Sequence, residues 1–106
     1  MEKNQIISIL ANYKTNSKYK RVIKEIGLFG SYSKDSHSKN SDVDIFLKLE
    51  PARMFDLIEI KNNIEELLNK KVDIVLLKNS MNPYLKKQIK NYGIYVWQRI
   101  WENYIP

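Results

Sequence analysis

The chain has no cysteine and a single histidine, His37, among its 106 residues. The absence of cysteine excludes disulfide bonds and thiolate metal sites. With one histidine available, a zinc site would have to rely mainly on carboxylates, which is unusual for that metal. A hard cation bound by oxygen ligands is therefore the class of metal site that remains open to this sequence.

Glycine and proline are also scarce, at three residues each, and neither is concentrated in a stretch typical of a linker. The apolar stretch nearest the N-terminus, residues 6–10, is too short to span a membrane, and no small-residue cleavage site follows it. Hydrophobic residues make up 43% of the chain, which is enough for a core. We therefore expect one domain over residues 1–106, located in the cytoplasm and without a membrane partner.

Acidic residues are outnumbered, since 18 lysines and arginines against 12 aspartates and glutamates give a formal net charge of +6. A basic surface suits a polyanionic ligand such as a nucleotide, a nucleic acid or an acidic protein. The same composition is equally typical of a lysine-rich proteome. The charge therefore leaves a nucleic-acid partner possible without favouring it.

Hydrophobic periodicity predicts a regular alternation of helices and strands. The predicted helices cover residues 4–14, a short turn from Ser31, a longer segment opened by Pro51, and residues 83–91; the predicted strands cover residues 22–29, 42–49, 72–77 and 94–97. This order favours the α/β (α+β) class, with a small mixed sheet of about four strands and helices packed on it.

Two of these elements carry predictions about burial. The strand 42–49 alternates strictly and is predicted to be half-buried, with its aspartates on the exposed face. The helix after Pro51 has an apolar stripe that we expect to face the core. Its members are Met54, Leu57, Ile58, Ile64, Leu67 and Leu68.

Asp42 and Asp44 stand two positions apart in the alternating strand, so their side chains should project from one face. Adjacent carboxylates repel each other, and a pair placed together on a sheet needs a compensating cation. Magnesium prefers carboxylate, water and phosphate oxygens. The alternative is a strand end that merely exposes two acids to water, but aspartate disfavours strands and these two flank Val43 within an apolar alternation.

Asp73 lies near the start of another predicted strand, where strand propensity does not favour an aspartate. If the two strands are neighbours, three carboxylates converge on one face of the sheet. Such a group around two hard cations is suited to phosphoryl or nucleotidyl transfer. Asp73 is then the candidate third metal ligand and the candidate acceptor of the attacking hydroxyl's proton.

Gly30 and Ser31 follow the first predicted strand and open a short helix. Such a turn lets the backbone approach a phosphate closely, and a helix N-terminus presents free N–H groups. The Ser31 hydroxyl could donate to a phosphate oxygen, and Lys34 could reach the same triphosphate. Each of these residues alone is equally well explained as an ordinary turn or a solvated lysine.

The combination is more specific than its parts. Ten residues separate Ser31 from the Asp42-Val43-Asp44 sequence. Gly-Ser and Asp-x-Asp at one fixed spacing should occur by chance in on the order of one in a thousand chains of this length. This pattern resembles the signature of the DNA polymerase β-type nucleotidyltransferase superfamily. The flanking segments 26–29, 55–58, 71–75 and 82–85 resemble its minimal nucleotidyltransferase (MNT) branch, and the resemblance covers roughly residues 20–97.

The resemblance implies a polymerase β-like nucleotidyltransferase fold, with Asp42, Asp44 and Asp73 as metal ligands and Gly30 and Ser31 as the turn that holds phosphate. It implies ATP as substrate and Mg²⁺ as cofactor, with two ions expected. MNT proteins typically pair with a HEPN-domain toxin, and the MNT member acts as antitoxin by transferring AMP to a tyrosine hydroxyl of that toxin. The family typically has a small residue, arginine and glycine where this chain has Ser33, Lys34 and Asp35, a departure that concerns nucleotide affinity.

Other interpretations stay open at this point. An antitoxin could neutralise its partner by complex formation with little catalysis, or the nucleotide could pass to a small molecule or an RNA end. Tyr32 could pack on the sheet or lie beside the base, whereas His37 is expected to be exposed and without a role. The aromatic residues of the tail, Trp97, Trp101 and Tyr104, could close the core or contact a partner.

Overall fold

A computed structural model describes residues 2–96 of the chain. Its four strands form one mixed sheet in the order β3-β2-β1-β4. The elements in chain order are α1 (Lys3–Asn16), β1 (Ile23–Phe29), α2 (Gly30–Ser33), β2 (Val43–Leu49), α3 (Met54–Leu68), β3 (Val72–Leu76), α4 (Pro83–Tyr92) and β4 (Ile94–Tyr95). The predicted class and the predicted alternation of helices and strands are confirmed.

The strand pairings bring distant parts of the chain together at the centre of the sheet. Strand β1 pairs antiparallel with both β2 and β4, whereas β2 pairs parallel with β3. A parallel pair requires a crossover, and α3 supplies it between β2 and β3. The first residues of β2 and β3 therefore lie beside the last residue of β1.

The predicted alternation of β2 holds at its two outward residues Asp44 and Lys48, which are only partly buried, and is wrong at Phe46, which a second layer covers. The main core lies under α1 and α3 and includes the inward residues of β2: Val43, Ile45, Leu47 and Leu49. On the other face, Phe46 is 0% exposed and packs with Phe29 of β1 and Ile89 of α4. Helix α4 makes the difference, because it covers the middle of the face that the alternation assigned to solvent.

Helix α3 departs from its prediction in two ways. It begins at Met54, three residues after Pro51, and not at the proline. Its fully buried positions are Ile60, Ile64 and Leu68. The predicted stripe was therefore wrong for Met54, Ile58 and Leu67, which are exposed. Helix α3 lies on the outside of the fold and contacts the rest of the protein along one side only. A narrow strip of its surface is therefore buried.

Helix α4 begins as its sequence predicts. Pro83 occupies the first turn, and the side-chain oxygen of Asn82 accepts a hydrogen bond from the Tyr84 N–H at 2.8 Å. Strand β4 follows as Ile94–Tyr95, so its predicted end at Trp97 and the role of Trp101 and Tyr104 lie outside the described residues. Across residues 2–96, no helix is long and apolar enough to cross a membrane.

Candidate active site

Two of the three predicted acids lie directly opposite each other across the parallel strands. Asp44 is the register partner of Asp73, and neighbouring strands lie about 4.8 Å apart. On its other side, Asp44 pairs with Phe29, the last residue of β1 before Gly30. Asp42 stands one residue before β2 begins, at the same edge of the sheet. The strand adjacency that the sequence could only assume is thus present.

The electrostatics of Asp44 reflect this crowding. Burial raises the pKa of its carboxyl group, and the negative charges of Asp73 and then Asp42 raise that pKa further. Asp44 is half-buried, whereas Asp42 and Asp73 are exposed. The site therefore concentrates negative charge around one partly desolvated carboxylate.

This donor set fits a hard cation in its chemistry. All three groups are carboxylates, the ligand type that magnesium prefers, and a cation between them would relieve their mutual repulsion. Within residues 2–96, however, no group of three or more acidic or histidine side chains is already arranged as a metal site. Two of the three acids, Asp42 and Asp73, are exposed, and only Asp44 is half-buried.

Position 30 requires glycine for two reasons, its backbone conformation and its closeness to Asp44. Its backbone lies in the left-handed region at φ +72°, which side chains other than glycine's rarely adopt. A Cβ atom added at this position would overlap the Oδ2 atom of Asp44. The sequence indicated Gly30 as a residue that lets the backbone approach phosphate, and it gave no sign of this close approach to Asp44.

The turn after Gly30 is held by local hydrogen bonds. The Ser33 hydroxyl donates to the Gly30 carbonyl at 2.9 Å, and the Ser36 N–H donates to the Ser31 carbonyl at 2.9 Å. The Ser31 hydroxyl makes no hydrogen bond within the described part of the chain, so it is available to a ligand. Helix α2 is a single turn of four residues, shorter than a helix with a substantial dipole.

Lys34 and Asp35, which depart from the family pattern, both contact residues of distant helices. The Lys34 ammonium group lies 4.7 Å from the centre of the Tyr92 ring, at the end of α4. Asp35 has a left-handed backbone at φ 58°, where the family typically has glycine, and its carboxylate pairs with Lys3 of α1 at 3.0 Å. The negative charge of Asp35 is thus balanced locally.

Tyr32 and His37 form a stacked pair that sequence reasoning missed. Their ring centres are 4.0 Å apart with an interplanar angle of 12°. Tyr32 is 1% exposed and belongs to the main core, which settles its position in favour of packing on the sheet. His37 is half-buried rather than exposed, because it covers the Tyr32 ring.

A cleft of about 600 Å³ opens beside the acids, between the C-terminal part of α3 and the start of β3. Its lining residues are Asp42, Lys61, Glu65, Asn69, Lys70, Lys71, Val72 and Asp73. Glu65 joins the two walls, since its carboxylate accepts a hydrogen bond from the Val72 N–H at 3.0 Å. The lysines of this cleft were not predicted, although Lys70 and Lys71 directly precede the Val72-Asp73 sequence.

Comparison with known proteins also indicates a nucleotidyltransferase. The family model described as a nucleotidyltransferase domain matches residues 9–96. A candidate protein adenylyltransferase of Methanocaldococcus jannaschii is 37% identical over 94 residues, which are 88% of this chain and 96% of that protein. The protein adenylyltransferase MntA of Thermococcus cleftensis is 33% identical over 93 residues, 87% of this chain and 93% of that protein.

Solved structures share the fold. A chain in the crystal structure of a toxin–antitoxin with AMP-PNP superposes with a TM-score of 0.66 at 25% identity, covering 97% of this chain and 78% of that chain. A structure of a tri-AMPylated Shewanella oneidensis HEPN toxin in complex with MNT antitoxin gives a TM-score of 0.61 at 22% identity, covering 95% and 76%. At 22% identity, the similarity to the Shewanella oneidensis complex shows a shared fold only. Both agree with the expected polymerase β-like architecture.

Proposed function

Because the chain belongs to the nucleotidyltransferase domain family, we propose that it is a magnesium-dependent enzyme that transfers AMP from ATP to a tyrosine hydroxyl of a HEPN-domain toxin. By this reaction it acts as the antitoxin of that partner in the cytoplasm, where ATP is available. The observation that carries the proposal is the convergence of Asp42, Asp44 and Asp73 at one edge of the sheet, with Gly30 in contact with Asp44.

The comparisons support this choice of donor and partner. Relatives that match nearly their whole length are named protein adenylyltransferases, and one structural neighbour is a toxin–antitoxin with an ATP analogue. Protein adenylyltransferase activity requires a protein acceptor. A HEPN toxin fits the toxin–antitoxin context of the structural neighbours.

The metal site in this proposal consists of the three carboxylates. Held by Asp42, Asp44 and Asp73, two Mg²⁺ ions would supply neutralisation of the charge that develops on the α-phosphate and the leaving pyrophosphate. Asp44 is the anchoring ligand, because it is the half-buried member whose position is fixed by Phe29 and Asp73 on either side. Asp42 and Asp73 are exposed, so their side chains are free to reorient when a metal ion binds.

The remaining residues act on the substrates. In the transfer, the acceptor oxygen attacks the α-phosphorus, the bond from that phosphorus to the bridging oxygen of the β-phosphate breaks, and pyrophosphate leaves with the electron pair. Asp73 accepts the hydroxyl proton and can release it to solvent. The Gly30-Ser31 turn and Lys34 hold the triphosphate, which keeps the reacting atoms in line.

Mass spectrometry of the partner tests the proposed reaction. After incubation with this protein, ATP and Mg²⁺, the HEPN partner should gain the mass of one or more AMP groups, and fragmentation should place them on tyrosine. EDTA in place of Mg²⁺ should prevent the gain. Modification of serine or lysine would overturn the proposed acceptor. A partner that remains unmodified yet is neutralised would instead establish antitoxin action by complex formation.

A further inference from the structure

The ammonium group of Lys34 is held by an aromatic ring and not by an acid. It lies 4.7 Å from the centre of the Tyr92 ring. Within residues 2–96 no carboxylate pairs with this ammonium group, and the neighbouring Asp35 pairs instead with Lys3 at 3.0 Å. The positive charge of Lys34 therefore stays available to an anionic ligand, while the ring restricts where that charge lies.

The two residues of this contact belong to elements that are packed against each other. Lys34 follows the single turn of α2, which begins at Gly30 directly after Phe29. Tyr92 is the last residue of α4, three positions after Ile89. Ile89 is 2% exposed and packs with Phe29 on the face of the sheet that α4 covers. The end of α4 is therefore anchored beside the strand that leads into the turn at Gly30.

The Tyr92 side chain contributes little to the packing of its own helix. It is 50% exposed and belongs to neither group of core residues. Helix α4 ends through a backbone hydrogen bond, in which the Gly93 N–H donates to the Ile89 carbonyl at 2.7 Å. In the part of the chain that the structure describes, the cation over the Tyr92 ring is Lys34. The ring is thus placed to act on that lysine.

A restrained ammonium group is better prepared to bind phosphate than a freely moving one. A lysine side chain is long and flexible, and ordering it opposes binding. The ring contact orders part of the Lys34 side chain before the ligand arrives. An ammonium group has three N–H donors, and a ring covers only one side of it, so the other donors can reach phosphate oxygens.

We propose that Tyr92 is a positioning residue for the triphosphate, because it holds the Lys34 ammonium group near the turn that begins at Gly30. The inference rests on the proposed function, in which this turn and Lys34 bind the phosphates of ATP. Tyr92 acts through the charge of Lys34, so the ligand that it favours is a triphosphate with Mg²⁺, whatever base is attached. The contact is the same in the substrate complex and in the transition state, so it affects KM and not kcat.

Calorimetric titrations with ATP and with tripolyphosphate, each with Mg²⁺, test the role of the ring. Tyr92→Leu should raise both dissociation constants by about 2- to 5-fold, the factor that corresponds to an exposed cation–π contact. Tyr92→Phe keeps the ring and should match the unchanged protein. Tyr84→Leu is the matched control, because it removes another exposed tyrosine of α4, at 69% exposure, and it should also match. The thermal melts of the Tyr92→Leu and Tyr84→Leu variants should agree.

A second background shows whether Tyr92 acts through Lys34. Once Lys34→Met has removed the charge, Tyr92→Leu should have no further effect on either dissociation constant. An equal effect in the two backgrounds would overturn the inference. So would a rise for ATP without a rise for tripolyphosphate, since the ring would then contact the base.

Transfer kinetics with the HEPN partner separate this inference from the proposed function. Tyr92→Leu should raise KM for ATP by the same factor and leave kcat unchanged. Unchanged dissociation constants in Tyr92→Leu would overturn the inference and leave the proposed function intact. If the unchanged protein transfers no AMP, the proposed function fails while the titrations still report on Tyr92. An unchanged protein that binds neither ATP nor tripolyphosphate would overturn both.

Discussion

Replacing Asp44 by asparagine should raise the thermal stability of the metal-free protein while it lowers the rate of nucleotidyl transfer by about 100-fold or more. Burial and the charges of Asp73 and Asp42 raise the pKa of Asp44 in the folded protein. The stabilising contribution of this group is therefore fully present below its unfolded pKa and is lost as the pH rises through its folded pKa. At neutral pH the charged carboxylate destabilises the fold, and asparagine keeps the shape without the charge.

The same substitution removes the carboxylate that we propose as the anchoring metal ligand. We expect transfer to fall by about 100-fold or more, since loss of a metal ligand removes several kcal/mol of transition-state stabilisation and each 1.4 kcal/mol corresponds to tenfold in rate. Thermal melts in EDTA and in Mg²⁺ check the structural half of the claim. The melting temperature of the unchanged protein should rise with Mg²⁺, because a ligand bound by the folded state stabilises it. Asp44→Asn should melt higher in EDTA and respond little to Mg²⁺.

Glu66→Gln is the matched control, because Glu66 is exposed on α3 and outside the site. It should leave the melting temperature, the Mg²⁺ response and the transfer rate unchanged. A lower melting temperature for Asp44→Asn in EDTA would contradict the description of this group as an electrostatically strained carboxylate. Retained transfer would contradict its role as a ligand.

Gly30→Ala should be among the most damaging single substitutions in the chain. The left-handed backbone at φ +72° costs about 1–2 kcal/mol for a residue with a Cβ atom. The added methyl group would also overlap the Asp44 carboxylate, and forcing an atom into occupied space typically costs about 1–3 kcal/mol. We expect a loss of about 2–5 kcal/mol in the free energy of unfolding, together with a loss of transfer, because Asp44 must move to make room.

A double-mutant cycle separates the two causes. In an Asp44→Ala background the overlap with Oδ2 is removed and only a tight approach to the Cβ at position 44 remains. Gly30→Ala should then cost little more than the backbone strain of about 1–2 kcal/mol. Urea denaturation of the four proteins gives the coupling energy. Additive losses, with no coupling between Gly30 and Asp44, would show that the glycine is required for its backbone conformation alone.

The sequence was sufficient to predict the elements that carry local signals. The alternation around Val43, the Asn82-Pro83 start of α4 and the Gly30-Ser31 turn each combine a periodic pattern with a residue of special backbone preference. The acids were found because aspartate is out of place within a strand. Their meeting across β2 and β3 could only be assumed, since the register of a parallel pair depends on the packing of the crossover helix.

The features that escaped prediction are contacts between distant segments. The second core around Phe46 depends on α4, which comes more than 35 residues later in the chain. The buried strip of α3 was misassigned because both of its apolar sides match helical periodicity, and packing decides which one is covered. The pairing of Asp35 with Lys3 and the contact of Lys34 with Tyr92 likewise join residues that no local pattern connects.

We propose that Asp42, Asp44 and Asp73 form a site for nucleotidyl transfer, and transfer of label from α-labelled ATP provides a direct test. The protein is incubated with Mg²⁺, the labelled nucleotide and its HEPN partner, in parallel with the Asp42→Asn and Asp44→Asn double variant. The unchanged protein should label the partner, and the double variant should bind the partner with equal affinity but leave it unlabelled. Equal labelling by the double variant would show that Asp42 and Asp44 are not required for transfer.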